Sequence, residues 1–197
     1  MKRTELILSL VAFAGVLLKL IIIPGGALFT VLGLSGLSIL YFYLSFAIFN
    51  RIPLRQVFKK QSYSGISAKH LLGSTGTGLA LSLLLMGILF KLQFWPGANT
   101  NIAIGLFWSL CILVVSLVKL SGSHAVYYRM ICRRVSVLSL VGIALWLTPS
   151  RILFGFFHRD HPAYVQAMIR SWENPGDADL QKEVEDEYEK MSTEHEH

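Results

Sequence analysis

The stretch Gly87-Ile88-Leu89-Phe90-Lys91-Leu92-Gln93-Phe94-Trp95-Pro96-Gly97-Ala98 decides how this chain is read. An apolar run carrying one lysine meets a Pro-Gly break and then a second apolar run. A similar arrangement lies 72 residues earlier, at Gly15-Val16-Leu17-Leu18-Lys19-Leu20-Ile21-Ile22-Ile23-Pro24-Gly25-Gly26. Aligned without a gap, the copies pair Gly15 with Gly87, Lys19 with Lys91, Pro24 with Pro96 and Gly25 with Gly97, and the match resumes at Gly33-Leu34 and Gly105-Leu106. Eight identities in twenty positions, a lysine inside an apolar helix among them, exceed what shared hydrophobicity supplies. Each unit reads as a two-helix hairpin. The second copy then has the orientation of the first, and a pseudo-twofold axis along the membrane normal relates the two.

Composition gives the setting. Of 197 residues, 53% are hydrophobic and only 15% charged, which excludes an ordinary soluble domain. Residues 1–157 hold 14 Lys/Arg and one acid, Glu5, whereas residues 158–197 hold 4 Lys/Arg and 11 Asp/Glu. The basic excess sits in short breaks between apolar runs, where positive-inside bias and anionic lipids account for it, so it is no nucleic-acid signal.

A helix needs roughly 20 apolar residues to cross the hydrocarbon layer. Such windows lie at 6–23, 27–49, 72–95, 102–120 and 135–157. The expected fold is all-α, a polytopic membrane bundle of about five spans. Residues 1–157 form the transmembrane domain: repeat one at 6–49, a basic loop at 50–71, repeat two at 72–120, a basic loop at 121–134 and a fifth span at 135–157. Residues 158–197 form a short helical acidic tail. The basic loops place themselves and the N-terminus in the cytoplasm and the Pro-Gly turns outside. A complete fifth span exports the tail to the periplasm, although Thr148-Pro149 interrupts that run.

Several residues stand out as candidates for interaction. Lys19 and Lys91 each precede a turn proline by five residues, about 7–8 Å of helix below the outer turn. They can snorkel to the headgroups, or hold a carbonyl-rich turn, an anion or a partner's carboxylate. Trp95 and the turn residues Pro24, Gly25, Pro96 and Gly97 belong to the same feature. Ser74, Gly78 and Ser82 form a small-residue stripe suited to close helix packing. Asn50 can cap a short interfacial helix with Pro53 in its first turn, placing Ile52, Leu54, Val57 and Phe58 against lipid. In the tail, Asp160 is expected to cap a helix starting at Pro162, and Asp177 a second one. The spans show no nucleophile–base pair and no metal set, so no enzyme activity, cofactor or metal is expected.

The motif Gly-x-Leu-Phe-Lys-x-x-x-Trp-Pro-Gly-Ala, intact at 87–98 and looser at 15–26, resembles the N-terminal helical hairpin of the GldL family. Those proteins are inner-membrane motor subunits of gliding motility and type IX secretion in Bacteroidota. More broadly, the chain is similar to GldL-related multi-pass proteins of that phylum. The resemblance implies that Lys19 and Lys91 stand where the family has its motor lysine. The family glutamate, four residues after a glycine of the next helix, falls on Leu37 and Ser109 here. The resemblance therefore implies fold and lineage rather than a self-sufficient motor. The expected role is a non-enzymatic accessory or scaffold subunit of an inner-membrane envelope assembly, meeting lipid, other membrane proteins or copies of itself. The alternative is a small transporter or channel with its pathway at the repeat interface.

Overall fold

Residues 2–23, 25–122 and 124–194 are described by the computed structural model. Among them 83% are helical and none lies in a strand. Eight α-helices follow one another: α1 Lys2–Leu20, α2 Gly26–Phe49, α3 Ala68–Leu92, α4 Ala98–Val118, α5 Ala125–Leu147, α6 Ser150–Phe157, α7 Pro162–Glu173 and α8 Ala178–Glu194. The chain divides into two compact units, residues 1–147 and residues 148–197. Among the described residues, four helices are long and apolar enough to cross a membrane: Gly26–Phe49, Ala68–Leu92, Ala98–Ser121 and Ala125–Leu147.

In the first unit, successive helices pack side by side, α1 on α2, α2 on α3, α3 on α4 and α4 on α5. The α3 helix also meets α5. It is thus the central element, with Leu81, Leu84, Leu85 and Leu89 fully enclosed. Two-thirds of its apolar window (67%) is covered by protein, against 17% for α5, which turns most of its apolar surface outward. Monomeric water-soluble proteins rarely leave so much apolar surface uncovered, whereas lipid tails solvate it readily.

The helical hairpins owe their closeness to glycine. A methyl group at Gly15 would overlap the backbone of Phe29 and Thr30, and one at Gly33 the backbone of Ala12. In the α3–α4 pair, Gly87 meets the backbone of Asn101 and Ile102, and Gly105 that of Leu84. The turns leave α1 and α3 through left-handed residues, Ile22 at φ 57° and Phe94 at φ 58°. The amides of Ile23 and Trp95 donate back to the carbonyls of Leu18 and Phe90, at 2.9 Å in each case. This closes the helix ends in the Schellman manner. Gly25 at φ 89° and Gly97 at φ 79° then start α2 and α4 in a backbone region that L side chains resist. Pro24 lies outside the described residues.

Two boundaries differ from the sequence reading. The last long helix of the first unit runs Ala125–Leu147, not 135–157, and takes up most of the segment read as the basic loop 121–134. Long arginine stems let a helix continue through Arg129, Arg133 and Arg134 while their heads find polar surroundings. Its end at Leu147 follows from Pro149, which has no N–H to continue the ladder and instead precedes the first turn of α6. Asn50, read as the start of an interfacial helix, is instead the C-cap of α2. The segment after it forms two short 3-10 turns, Leu54–Gln56 and Lys60–Tyr63, with Ile52 and Val57 tucked against Ala47 while Phe58 stays almost wholly exposed.

In the second unit, α7 packs on α8 and touches α6. Phe154, Tyr164 and Ala167 are buried, with Trp172 edge-on to Phe154 at 5.2 Å. Burial and the neighbouring Tyr188 push the Tyr164 hydroxyl above its ordinary pKa. Asp177 caps α8, its carboxylate accepting from the amides of Asp179 (3.0 Å) and Leu180 (3.4 Å). Pro162 opens α7, but His161 rather than Asp160 stands at its N-cap, and no side chain caps it.

Candidate functional site

The most concentrated polar chemistry lies at the end of the bundle where α1 begins, α2 ends and α5 begins. Glu5 sits in the first turn of α1. The Arg134 guanidinium of α5 grips it with both arms, Nε to Oε1 at 2.6 Å and Nη2 to Oε2 at 2.7 Å. The Tyr41 hydroxyl of α2 donates to the same Oε1 at 2.7 Å. Both charged side chains are only 13% exposed, and the guanidinium lies over the Phe49 ring at 5.4 Å. This is a fork-to-carboxylate pair, the geometry in which arginine binds most strongly, and it ties three helices together.

The pair forms one wall of a cleft of about 650 Å³ that also includes Ser9, Arg51, Arg129 and Arg133. A smaller recess of about 260 Å³ shares Glu5, Ser9, Arg133 and Arg134 with it and reaches Tyr41 and Leu37. The larger cleft is thus lined by four arginines and one glutamate, whose carboxylate Arg134 already grips.

The residues singled out from the sequence lie elsewhere. Lys19 crosses from the first hairpin to the end of α3, donating to the Leu92 carbonyl and to Gln93 Oε1 at 3.1 Å, with the Phe94 ring 5.5 Å away. Gln93 Nε2 in turn donates to the Ala27 carbonyl at 3.2 Å. Lys91 is fully buried and donates to Asn99 Oδ1 at 2.8 Å, within its own hairpin. The two lysines are therefore held by different partners. The difference lies in Gln93 and Asn99, whose counterparts in the first hairpin are the apolar Ile21 and Ala27. Trp95 is half exposed beside the turn, edge-on to Phe90 at 5.2 Å.

The stripe Ser74, Gly78, Ser82 faces α2 along its length. Asn50 Nδ2 donates to Ser74 Oγ at 3.1 Å, a methyl at Gly78 would strike Ser45 and the Tyr41 carbonyl, and Ser82 Oγ bonds Ser38 Oγ at 2.7 Å. Leu37 and Ser109 are both buried, and the Ser109 hydroxyl meets no partner among the described residues.

Lys19→Met keeps the apolar stem but leaves the Leu92 carbonyl and Gln93 without their donor. A loss of about 1–3 kcal/mol in unfolding stability is expected, with Lys19→Arg milder. Unchanged unfolding of the Met variant in mixed micelles would reduce Lys19 to a snorkelling side chain.

The Glu5–Arg134–Tyr41 cluster is the feature that sequence reading did not find. Its one available signal was that Glu5 is the single acid of residues 1–157. Comparison of the chain with protein-family models, with curated proteins and with solved structures gives no match in any of the three.

Proposed function

We propose that this chain is a non-enzymatic, multi-pass inner-membrane protein that serves as an accessory or scaffold subunit of a cell-envelope assembly, on a duplicated hairpin of the GldL kind. One observation carries the reading: four polar or charged contacts join different helices of the first unit. Glu5 binds Arg134, Ser38 binds Ser82, Asn50 binds Ser74 and Lys19 binds the end of α3. Such contacts fix helix positions, which is what a scaffold needs.

Support for the duplication comes from backbone features at a constant separation of 72 residues. Ile22 and Phe94 share a left-handed conformation, as do Gly25 and Gly97. Gly15 meets Thr30 as Gly87 meets Ile102, and Gly33 meets Ala12 as Gly105 meets Leu84. Support for a fifth crossing comes from α1, whose 19 residues extend about 28 Å and carry charge only towards the ends. Five crossings with the basic ends inside leave the N-terminus cytoplasmic and the tail periplasmic.

Purification in mild detergent tests the reading. Other membrane proteins or further copies of the chain should be recovered with it by mass spectrometry, and cysteines placed at Lys59 should label only from the cytoplasmic side. A lone monomer in several detergents would defeat the scaffold reading, and outside labelling at Lys59 would reverse the orientation.

A further inference from the structure

We propose that the arginine-lined cleft at the start of α1 and α5 is a binding site for a phosphate group, carried by an anionic phospholipid or free in solution. Arg129 and Arg133 stand one helical turn apart on α5, an arrangement of like charges that costs stability unless an anion lies between them. Arg51, from the end of α2, brings a third positive charge to the same cleft. Glu5 carries a single charge, which Arg134 grips through both oxygens and which Arg133 also feels, so it cannot balance all three. Among the described residues no carboxylate lies within ion-pair distance of Arg51, Arg129 or Arg133. The Nη1 of Arg134, another residue of the cleft, is buried and has no acceptor among the described residues.

Exposed guanidinium side chains grouped in this way suit an acceptor-rich anion, and phosphate, with its several oxygens, fits guanidinium forks from two directions at once. Leu6, Val126 and Met130 add an apolar wall beside the arginines, as an acyl chain joined to the phosphate would need. The lipid source rests on the membrane reading above. Binding to the purified chain in micelles does not depend on which side of a membrane the cleft faces, so a reversed orientation would leave this proposal standing.

The experiment uses the full chain, stripped of lipid in a neutral detergent, and measures binding and melting temperature with phosphatidylglycerol, phosphatidylcholine and inorganic phosphate. Phosphatidylglycerol should bind and raise the melting temperature while phosphatidylcholine does neither. Protection by inorganic phosphate at millimolar concentration would assign the site to a soluble phosphate; protection by phosphatidylglycerol alone would assign it to lipid. The double variant Arg129→Gln with Arg133→Gln, which leaves the Glu5–Arg134 pair in place, should bind about 25-fold more weakly, at about fivefold per basic residue. Arg51→Gln, from the other segment, should weaken binding about fivefold and guards against misfolding of the double variant. Lys182→Gln with Lys190→Gln, basic residues of the second unit outside both the cleft and the basic loops, should change it little. Equal binding of the two lipids without protection by inorganic phosphate, undiminished binding by the arginine variants, or an equal loss in the lysine variant would overturn the proposal.

Discussion

Glu5→Ala is expected to destabilise the first unit by about 3–5 kcal/mol, because it leaves the Arg134 guanidinium largely buried without its counter-charge. Tyr41 then also loses the acceptor of its hydroxyl. The informative comparison is the paired change Glu5→Leu with Arg134→Met, which removes both charges and keeps apolar volume. That variant should recover to within about 1 kcal/mol of the parent, since a buried pair offsets little more than its own desolvation. Tyr41→Phe should cost about 1 kcal/mol, the net value of one hydrogen bond. Denaturant unfolding in mixed micelles measures all three. If Glu5→Ala proves as mild as an exposed ion-pair deletion, below about 1 kcal/mol, the cluster does not hold α1 to the bundle in the way its geometry indicates.

Hydropathy found the apolar helices because burial in lipid needs length and apolarity, both of which are local properties. The turns were equally legible, since a Pro-Gly pair announces a break and a left-handed glycine at Gly25 and at Gly97. Legibility ended where chemistry depended on distant residues. Nothing near Glu5 points to Arg134, which lies 129 positions away, and the charge count marked only the acid as unusual. The same blindness moved the last long helix of the bundle by ten residues. Arg129, Arg133 and Arg134 read as a loop when each is priced alone, whereas a helix continues through them once one is neutralised by Glu5 and the others open onto a cleft. Lys19 and Lys91 were legible as a matched pair, but their different partners come from Gln93 and Asn99, where the aligned stretch has Ile21 and Ala27.

Gly15→Val and Gly87→Val are each expected to cost about 3 kcal/mol, towards the upper end of what overpacking causes. The reason is what the added carbon would strike. At Gly87 it falls 2.6 Å from the Ile102 amide nitrogen and 3.0 Å from the Asn101 carbonyl carbon, and at Gly15 it meets the backbone of Phe29 and Thr30. Side chains can rotate away from an intruder, but a helix backbone can yield only if the whole helix moves, and that undoes the hairpin's other close contacts at Gly33 and Gly105. Gly76→Val is the control, because open space surrounds that position and the change should stay within about 0.5 kcal/mol. Unfolding of the three variants in micelles decides between two outcomes. Matched losses at Gly15 and Gly87 are what a duplicated hairpin requires, since both glycines serve the same contact in their own copy. A large loss at Gly87 beside a negligible one at Gly15 would mean that α1 does not pack on α2 as closely as α3 packs on α4, and the duplication reading would lose its main structural support.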